Sequence, residues 1–259
     1  MWASRRIGED EQLYVLHVQG TACIGLQNTV LVKKFQNPNP TLLVDDNVRN
    51  RCNSEMILLA SISHDNIINV LHFIQREHAM MLVYEYPVNG SLDYWLHRRE
   101  AGEQPLSWPQ RMAIAIGELN TKIASFGVAQ MNIAGLNQPL PITEIPVGNF
   151  GYAAPEYGVG VAASQLTEKV DIYSFGVVLL ELVTGKLANG ADGLLAIWAQ
   201  DNRNGLMANH LKMFKIAVDK GIPDQARYIE EMATVFRLGN GKTNTLPAAS
   251  LSRDLLFGA

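Results

Sequence analysis

The stretch "TKIASFGVAQ", Thr121 to Gln130, holds one hydroxyl at its centre, Ser125, and no carboxylate. The surroundings are as sparse. No aspartate occurs between Asp93 and Asp171, and no histidine between His97 and His210. General acid–base catalysis and oxygen ligation of divalent metals both rest on such groups. Glu118 and Asn120 lie near Ser125. Near the N-terminus, "GEDEQLYV" places Glu9, Asp10 and Glu11 in succession, which reads as a solvated acidic turn. Lys33 and Glu55, taken alone, read as two solvated charges. Cys23 and Cys52 lack CxxC spacing and give no disulfide framework.

These residues must be positioned by elements that the periodicities announce. "LYVLHV" and "TVLVKKF", within residues 13–35, are β-like runs rich in Val, Leu and Tyr. "NPNP" at 37–40 is a loop. Residues 48–62 carry Met56, Leu59 and Ile62 on one helical face. "INVLHFI" and "MMLVYEY" follow as strands. "NGSLDYWLHRRE" predicts a turn, an N-cap at Ser91 and a helix. Ser107 with Gln110 forms a capping box for "WPQRMAIAIG". "LTEKVDIYSFGVVLLELVTGK" is a long apolar helix stopped by Gly185. A strand-rich first part and a helix-rich second part make an α+β chain of two lobes, residues 1–86 and 87–259.

The 259 residues leave room for a real core. A hydrophobic share of 47% and a charged share of 18% fit a soluble globular protein. The formal charge of -4 gives no reason to expect nucleic acid as partner. "MWASRRIGEDEQ" has no apolar core of a secretory signal. The longest apolar run, "FGVVLLELV", falls far short of the about 20 residues of a membrane span, and Glu181 interrupts it. A reduced, cytoplasmic setting is expected.

In order, these landmarks resemble a protein kinase, and more narrowly the kinase domain of plant leucine-rich-repeat receptor-like kinases. "MLVYEYPVNGSLDYWLH" is similar to that family's hinge and following helix. "GNFGYAAPEY" resembles the end of its activation segment. "LTEKVDIYSFGVVLLELVTGK" resembles its central C-lobe helix, and "EEMATVFRLG" and "TNTLPAASLS" its last helices. The resemblance covers nearly the whole chain. It implies a protein-kinase-like fold with a β-rich N-lobe and a helical, here truncated, C-lobe. It also implies ATP and magnesium as ligands, and phosphoryl transfer as chemistry.

Carried over residue by residue, the resemblance finds the site degenerate. Lys33 falls where the family has its phosphate-binding lysine, and Glu55 where it has that lysine's helical partner. Leu31 stands where a small residue lets adenine lie flat. The phosphate loop G-x-G-x-x-G-x-V keeps Gly8 and Val15, but Asp10 and Leu13 replace its other glycines. A carboxylate there, about 5 Å from a phosphate charge, repels it by roughly 3 kcal/mol at an effective dielectric near 20. Tyr84 falls at the gatekeeper position, and Glu85 and Tyr86, with Pro87, in the hinge. Ser125, Phe126 and Gly127 stand for D-F-G, without its metal-binding aspartate. The catalytic loop H-R-D-x-x-x-x-N is missing: "RMAIAIG" runs through "ELNT" into "KIASFG", where relatives have roughly thirty more residues. Glu156 usually pairs with an arginine near the C-terminus; Ser250 occupies that place, with Arg253 three residues on. Asp171 usually accepts hydrogen bonds from the catalytic loop. Without that loop it is expected to be a buried carboxylate lacking partners.

The resulting expectation is a catalytically inactive kinase-fold protein with no metal site and no tightly bound nucleotide. It would act by binding other proteins, such as receptor-like kinases or their substrates, at the inner face of the plasma membrane. Two alternatives follow from the same residues: an active ATP-dependent Ser/Thr kinase, as family membership implies, and a truncated gene product without function. A transcript restoring the segment at Gly117–Thr121 would favour the active kinase.

Overall fold

Alternating Val, Leu and Tyr residues build the sheet that the first part of the sequence announces. In the computed structural model it has five antiparallel strands in the order β1-β2-β3-β5-β4. They are β1 (Ser4–Arg6), β2 (Glu11–His17), β3 (Thr29–Phe35), β4 (Val70–Gln75) and β5 (Met80–Glu85). The structure describes residues 4–6, 11–17, 29–37, 39, 41–127, 129, 140–141, 151–157, 165–207 and 211–243. The chain divides into two compact units, Met1–Asn89 with Asn120–Met131, and Gly90–Leu119 with Asn132–Ala259. The division follows Asn89, near the boundary expected at 86/87, and Asn120–Met131 belongs to the first unit.

In the first unit, helix α1 (Asp46–Ser61) lies against β3, β4 and β5. Asp45 caps it, its Oδ1 accepting from the Val48 N–H at 2.9 Å. Val48, Cys52, Glu55 and Leu59 are its buried residues. They follow the 3.6-residue period. The apolar members join Phe35, Val44, Ile68, Met80, Leu82 and Tyr84 in one core. A carboxylate in that stripe needs partners, and the site below supplies them.

In the second unit, "NGSLDYWLHRRE" turns at Gly90 and forms a short helix as expected, residues 92–98, whose last five residues, Tyr94–Arg98, take the wider π form. The Ser91 Oγ does accept from the Tyr94 N–H, at 3.2 Å. Helix α2 spans Trp108–Ala115, and the Gln110 Oε1 accepts the Ser107 N–H at 2.9 Å. Two-residue strands β6 (Leu140–Pro141) and β7 (Gln165–Leu166) pair with each other. Helix α3 (Lys169–Thr184) ends at Gly185, which takes the left-handed conformation at φ 64°. A second small ribbon, β8 (Asn189–Gly190) with β9 (Gly193–Leu194), precedes α4 (Leu195–Met207), α5 (Phe214–Ala217) and α6 (Gln225–Thr243). Trp108, Leu180, Leu182, Phe214, Met232 and Phe236 form the centre of this unit's main core. Buried Arg111 clasps the unit, donating to the carbonyls of Leu106 (3.1 Å) and Leu182 (2.8 Å) and to Asp219 Oδ2 (2.5 Å). "TNTLPAASLS" lies outside the described residues beyond Thr243. Among the described residues, no helix is long and apolar enough to cross a membrane.

After α2 the backbone turns hard. Gly117 has φ 83°, and Leu119 and Asn120 both have φ 56°. A leucine side chain has no polar group of the kind that lets asparagine or aspartate favour that conformation, which costs about 1–2 kcal/mol for an L-residue. These are the residues where the sequence reading locates a missing segment.

Candidate functional site

The alternation of β3 sends Leu31, Lys33 and Phe35 to one face. Register places Leu31 beside Tyr84 and Lys33 beside Leu82 of β5, and Val15 of β2 opposite Leu31. Leu31 packs on the core of the first unit, so its bulk is part of that core. Lys33 is 3% exposed and Glu55 0%. The Lys33 Nζ donates to Glu55 Oε2 at 2.8 Å. Both oxygens of Glu55 are used: the Tyr84 hydroxyl donates to Oε1 at 2.9 Å, and the Phe126 N–H at 3.1 Å. Burial, and after it the neighbouring Glu55 carboxylate, pushes the Tyr84 phenol far above its ordinary pKa, so the hydroxyl stays a donor.

Lys33 has a second carboxylate. Glu11, the first residue of β2, is 6% exposed, and its Oε2 lies 2.8 Å from the same Nζ. The other oxygen of Glu11 accepts from Arg51 of α1. This corrects the reading of Glu11 as part of a solvated turn. A carboxylate this deeply buried is retained because two cations neutralise it. Glu9, Asp10 and Gly8 lie outside the described residues. Sequence reasoning missed the roles of Glu11 and Arg51. One signal was available: Arg51 precedes Glu55 by four residues, which puts both on one helical face. Glu11 gave none, because its partners come from two other elements. The Lys33 ammonium also lies 4.8 Å from the centre of the Phe35 ring.

The strip from Thr121 to Gly127 lies along this unit. The Ile123 N–H donates to the Asn66 carbonyl (2.7 Å), and the Ile123 carbonyl accepts from Ile68 (3.0 Å). Lys122 reaches Glu85 at 3.0 Å. Burial alone would raise the Glu85 carboxyl, but hydrogen bonds from Asn69 and Lys122 outweigh it and hold its pKa below the ordinary value. Tyr86, next in the expected hinge, is half-buried. Phe126 packs on the core. A Cβ at Gly127 would come within 3.2 Å of Glu55 Oε2, 3.7 Å of Lys33 Nζ and 3.8 Å of Glu11 Oε1, so glycine lets the backbone close over the ionic cluster. Ser125 is exposed and held at φ 73°.

Two further positions belong to the second unit. Asp171 sits in the first turn of α3 with its side chain more exposed than expected, although the surrounding protein still shields it enough to raise its pKa. There it favours the helix N-terminus. Glu156, in the short 3-10 turn Pro155–Tyr157, has an oxygen, Oε2, without a hydrogen-bond partner among the described residues. Burial raises its pKa. Ser250 and Arg253 lie outside the described residues.

The chemistry of these groups does not fit magnesium-bound ATP. The position where the resemblance expects a metal-binding aspartate holds an exposed serine. Lys33, which the resemblance places at a phosphate, has two carboxylates, Glu55 and Glu11, at its ammonium.

Residues 19–120 match the family of protein tyrosine and serine/threonine kinases. The chain is 32% identical over 214 residues, 69% of its length, to the leucine-rich repeat receptor protein kinase EMS1 of Arabidopsis thaliana, covering 17% of that protein. It is 33% identical over 206 residues, 66% of its length, to the probable serine/threonine-protein kinase PBL10 of the same plant, covering 48% of it. To the Arabidopsis receptor-like protein kinase HAIKU2 it is 31% identical over 232 residues, 76% of its length and 22% of that protein. The chain thus spans less than half the length of each of these relatives.

Proposed function

We propose that this chain, a member of the protein kinase family that resembles plant receptor-like kinases, transfers no phosphate and acts as a kinase-fold binding protein. Its partners on this reading are other proteins, receptor-like kinases or their substrates among them. One observation carries the reading. Helix α2 ends at Ala115, and Ile123 already pairs with Asn66 and Ile68. The seven residues between, Ile116 to Lys122, are fewer than the eight positions of H-R-D-x-x-x-x-N and include no histidine or aspartate. Loss of a general base alone lowers a rate by about 10²–10⁴-fold. Loss of the metal clamp removes the main electrostatic stabilisation of the transferring group as well.

The test is a phosphoryl-transfer assay with labelled ATP and magnesium, reading both self-modification and a generic acceptor such as myelin basic protein. No incorporation above background is expected. Incorporation that disappears in Lys33→Met would overturn the reading.

A further inference from the structure

We infer that the turn at residues 211–217 is a docking face for an anionic lipid surface, which the chain touches without crossing. The sequence sets the charge of this face. Residues 202–218 contain no aspartate or glutamate, although the chain as a whole carries a formal charge of -4. Arg203, Lys212 and Lys215 are the cations of that stretch. The fold then sorts the turn by side. Leu211 takes the left-handed conformation at φ 68°. From there the chain winds helically, the Lys215 N–H donating to the Leu211 carbonyl (3.3 Å) and the Ile216 N–H to that of Met213 (3.1 Å). Phe214 is fully buried and meets the Phe236 ring edge-on, with centroids 5.5 Å apart. Ala217 and Val218 are buried too, while Lys212, Met213, Lys215 and Ile216 are left exposed. Lys212 and Lys215 are three residues apart, as are Met213 and Ile216, so each pair shares a side of the turn.

Single exposed apolar residues are ordinary on a protein surface. Here two large ones, Met213 at 43% and Ile216 at 66% exposure, are interleaved with two lysines that have no carboxylate partner among the described residues. Lys169 and Lys186 of the same unit each have one. Asp219, the next carboxylate along the chain, is taken up by the protein itself: its Oδ2 accepts from Arg111 and its Oδ1 from the Gly221 N–H at 2.8 Å. Lys220 follows, exposed, and donates to the Lys215 carbonyl. An anionic bilayer answers both halves of this face. The ammonium groups stay at the level of the lipid phosphates, while the lysine stems and the Met and Ile side chains reach the acyl boundary. A soluble acidic polypeptide would satisfy the lysines and leave Met213 and Ile216 in water. The net charge of the chain opposes an anionic surface, so the contact is local, weak and salt-sensitive. The inference does not rest on the absence of phosphoryl transfer, so the two readings fail separately.

The test is sedimentation of the full chain at low ionic strength with vesicles of phosphatidylserine and phosphatidylcholine in equal parts, against vesicles of phosphatidylcholine alone. The native chain should sediment with the first and not the second, and high salt should release it. Lys212→Gln with Lys215→Gln should lower partitioning about thirtyfold, a factor of about five for each lysine near such a surface. Met213→Ser with Ile216→Ser should lower it by at least about tenfold. Lys34→Gln with Arg76→Gln, which removes the same charge from the first unit, should leave it unchanged. A measurement on the native chain needs no variant: acidic vesicles should slow amide exchange at residues 211–217 and leave α1 unaffected. The proposal is overturned if the native chain ignores the acidic vesicles, if the protected amides lie elsewhere, or if the first-unit control loses as much binding as the lysine pair. It is also overturned if Met213→Ser with Ile216→Ser partitions like the native chain. Charge alone would then act, and the face would suit an acidic protein and not a bilayer.

Discussion

Ser125 is exposed, yet its backbone is held in an unusual conformation. The backbone at φ 73° is a conformation in which aspartate and asparagine are several-fold enriched and serine is not. It persists because both flanks are fixed, Ile123 by two backbone hydrogen bonds and Phe126 by its N–H on Glu55. Ser125→Asn should therefore stabilise the first unit by up to about 1 kcal/mol, while Ser125→Val should destabilise it by at least as much. Urea midpoints of the three chains check this, and the order Val above Asn would contradict it. At this scale the sequence disclosed positions better than environments. The place of Ser125 was legible because two conspicuous neighbours, Phe126 and Gly127, mark it. Glu11 was not, because its burial follows from Lys33 and Arg51, which reach it from β3 and α1. Asp171 failed in the opposite sense. Its burial was inferred from a loop expected by resemblance, and Asp171 is exposed while its neighbours Val170 and Ile172 are half-buried.

Elements were legible where a period or a cap announced them. The apolar face of α1 survived the interruption by Glu55 because the neighbouring stripe residues kept the 3.6-residue spacing. The helix after Ser91 was legible from its cap, but the π form of Tyr94–Arg98 was not, since a cap marks where a helix starts and not how it winds. The crossing of α3 and α6 was hidden too, and glycines make it. A Cβ on Gly239 would lie 2.8 Å from the Gly176 carbonyl oxygen and 3.1 Å from Leu180 Cγ, against a backbone atom that has little freedom to move. Gly241, two residues on in the same helix, has nothing within 4 Å. Gly239→Ala should therefore cost on the order of 1–3 kcal/mol through overpacking. Gly241→Ala should gain about 0.5–1 kcal/mol by lowering the entropy of the unfolded chain. Thermal denaturation of the two variants separates packing from propensity; equal effects of the same sign would remove the close crossing from the account.

At the scale of the molecule, each unit has its own core. Phe35, Val48, Met80, Leu82 and Tyr84 belong to one, and Trp108, Leu180, Phe214, Met232 and Phe236 to the other. The change from strand-rich to helix-rich sequence made this division legible. The return of Asn120–Met131 to the first unit was not, because single long-range pairings carry it: Ile123 with Asn66 and Ile68, and Lys122 with Glu85. No periodicity encodes such contacts. Separate cores make separate cooperative opening the physical expectation, since local stability follows local burial. Leu82→Ala and Leu180→Ala test it, both residues being 0% exposed. Each truncation should cost about 2–5 kcal/mol. Leu82→Ala should speed amide exchange in β3, β5 and α1 and leave α3 and α6 protected; Leu180→Ala should do the converse. If either variant instead lowered protection in both units equally, the chain would open as one body. Under that result a protein bound to one unit would stabilise both, whereas independent opening confines the effect of a partner to the unit it touches.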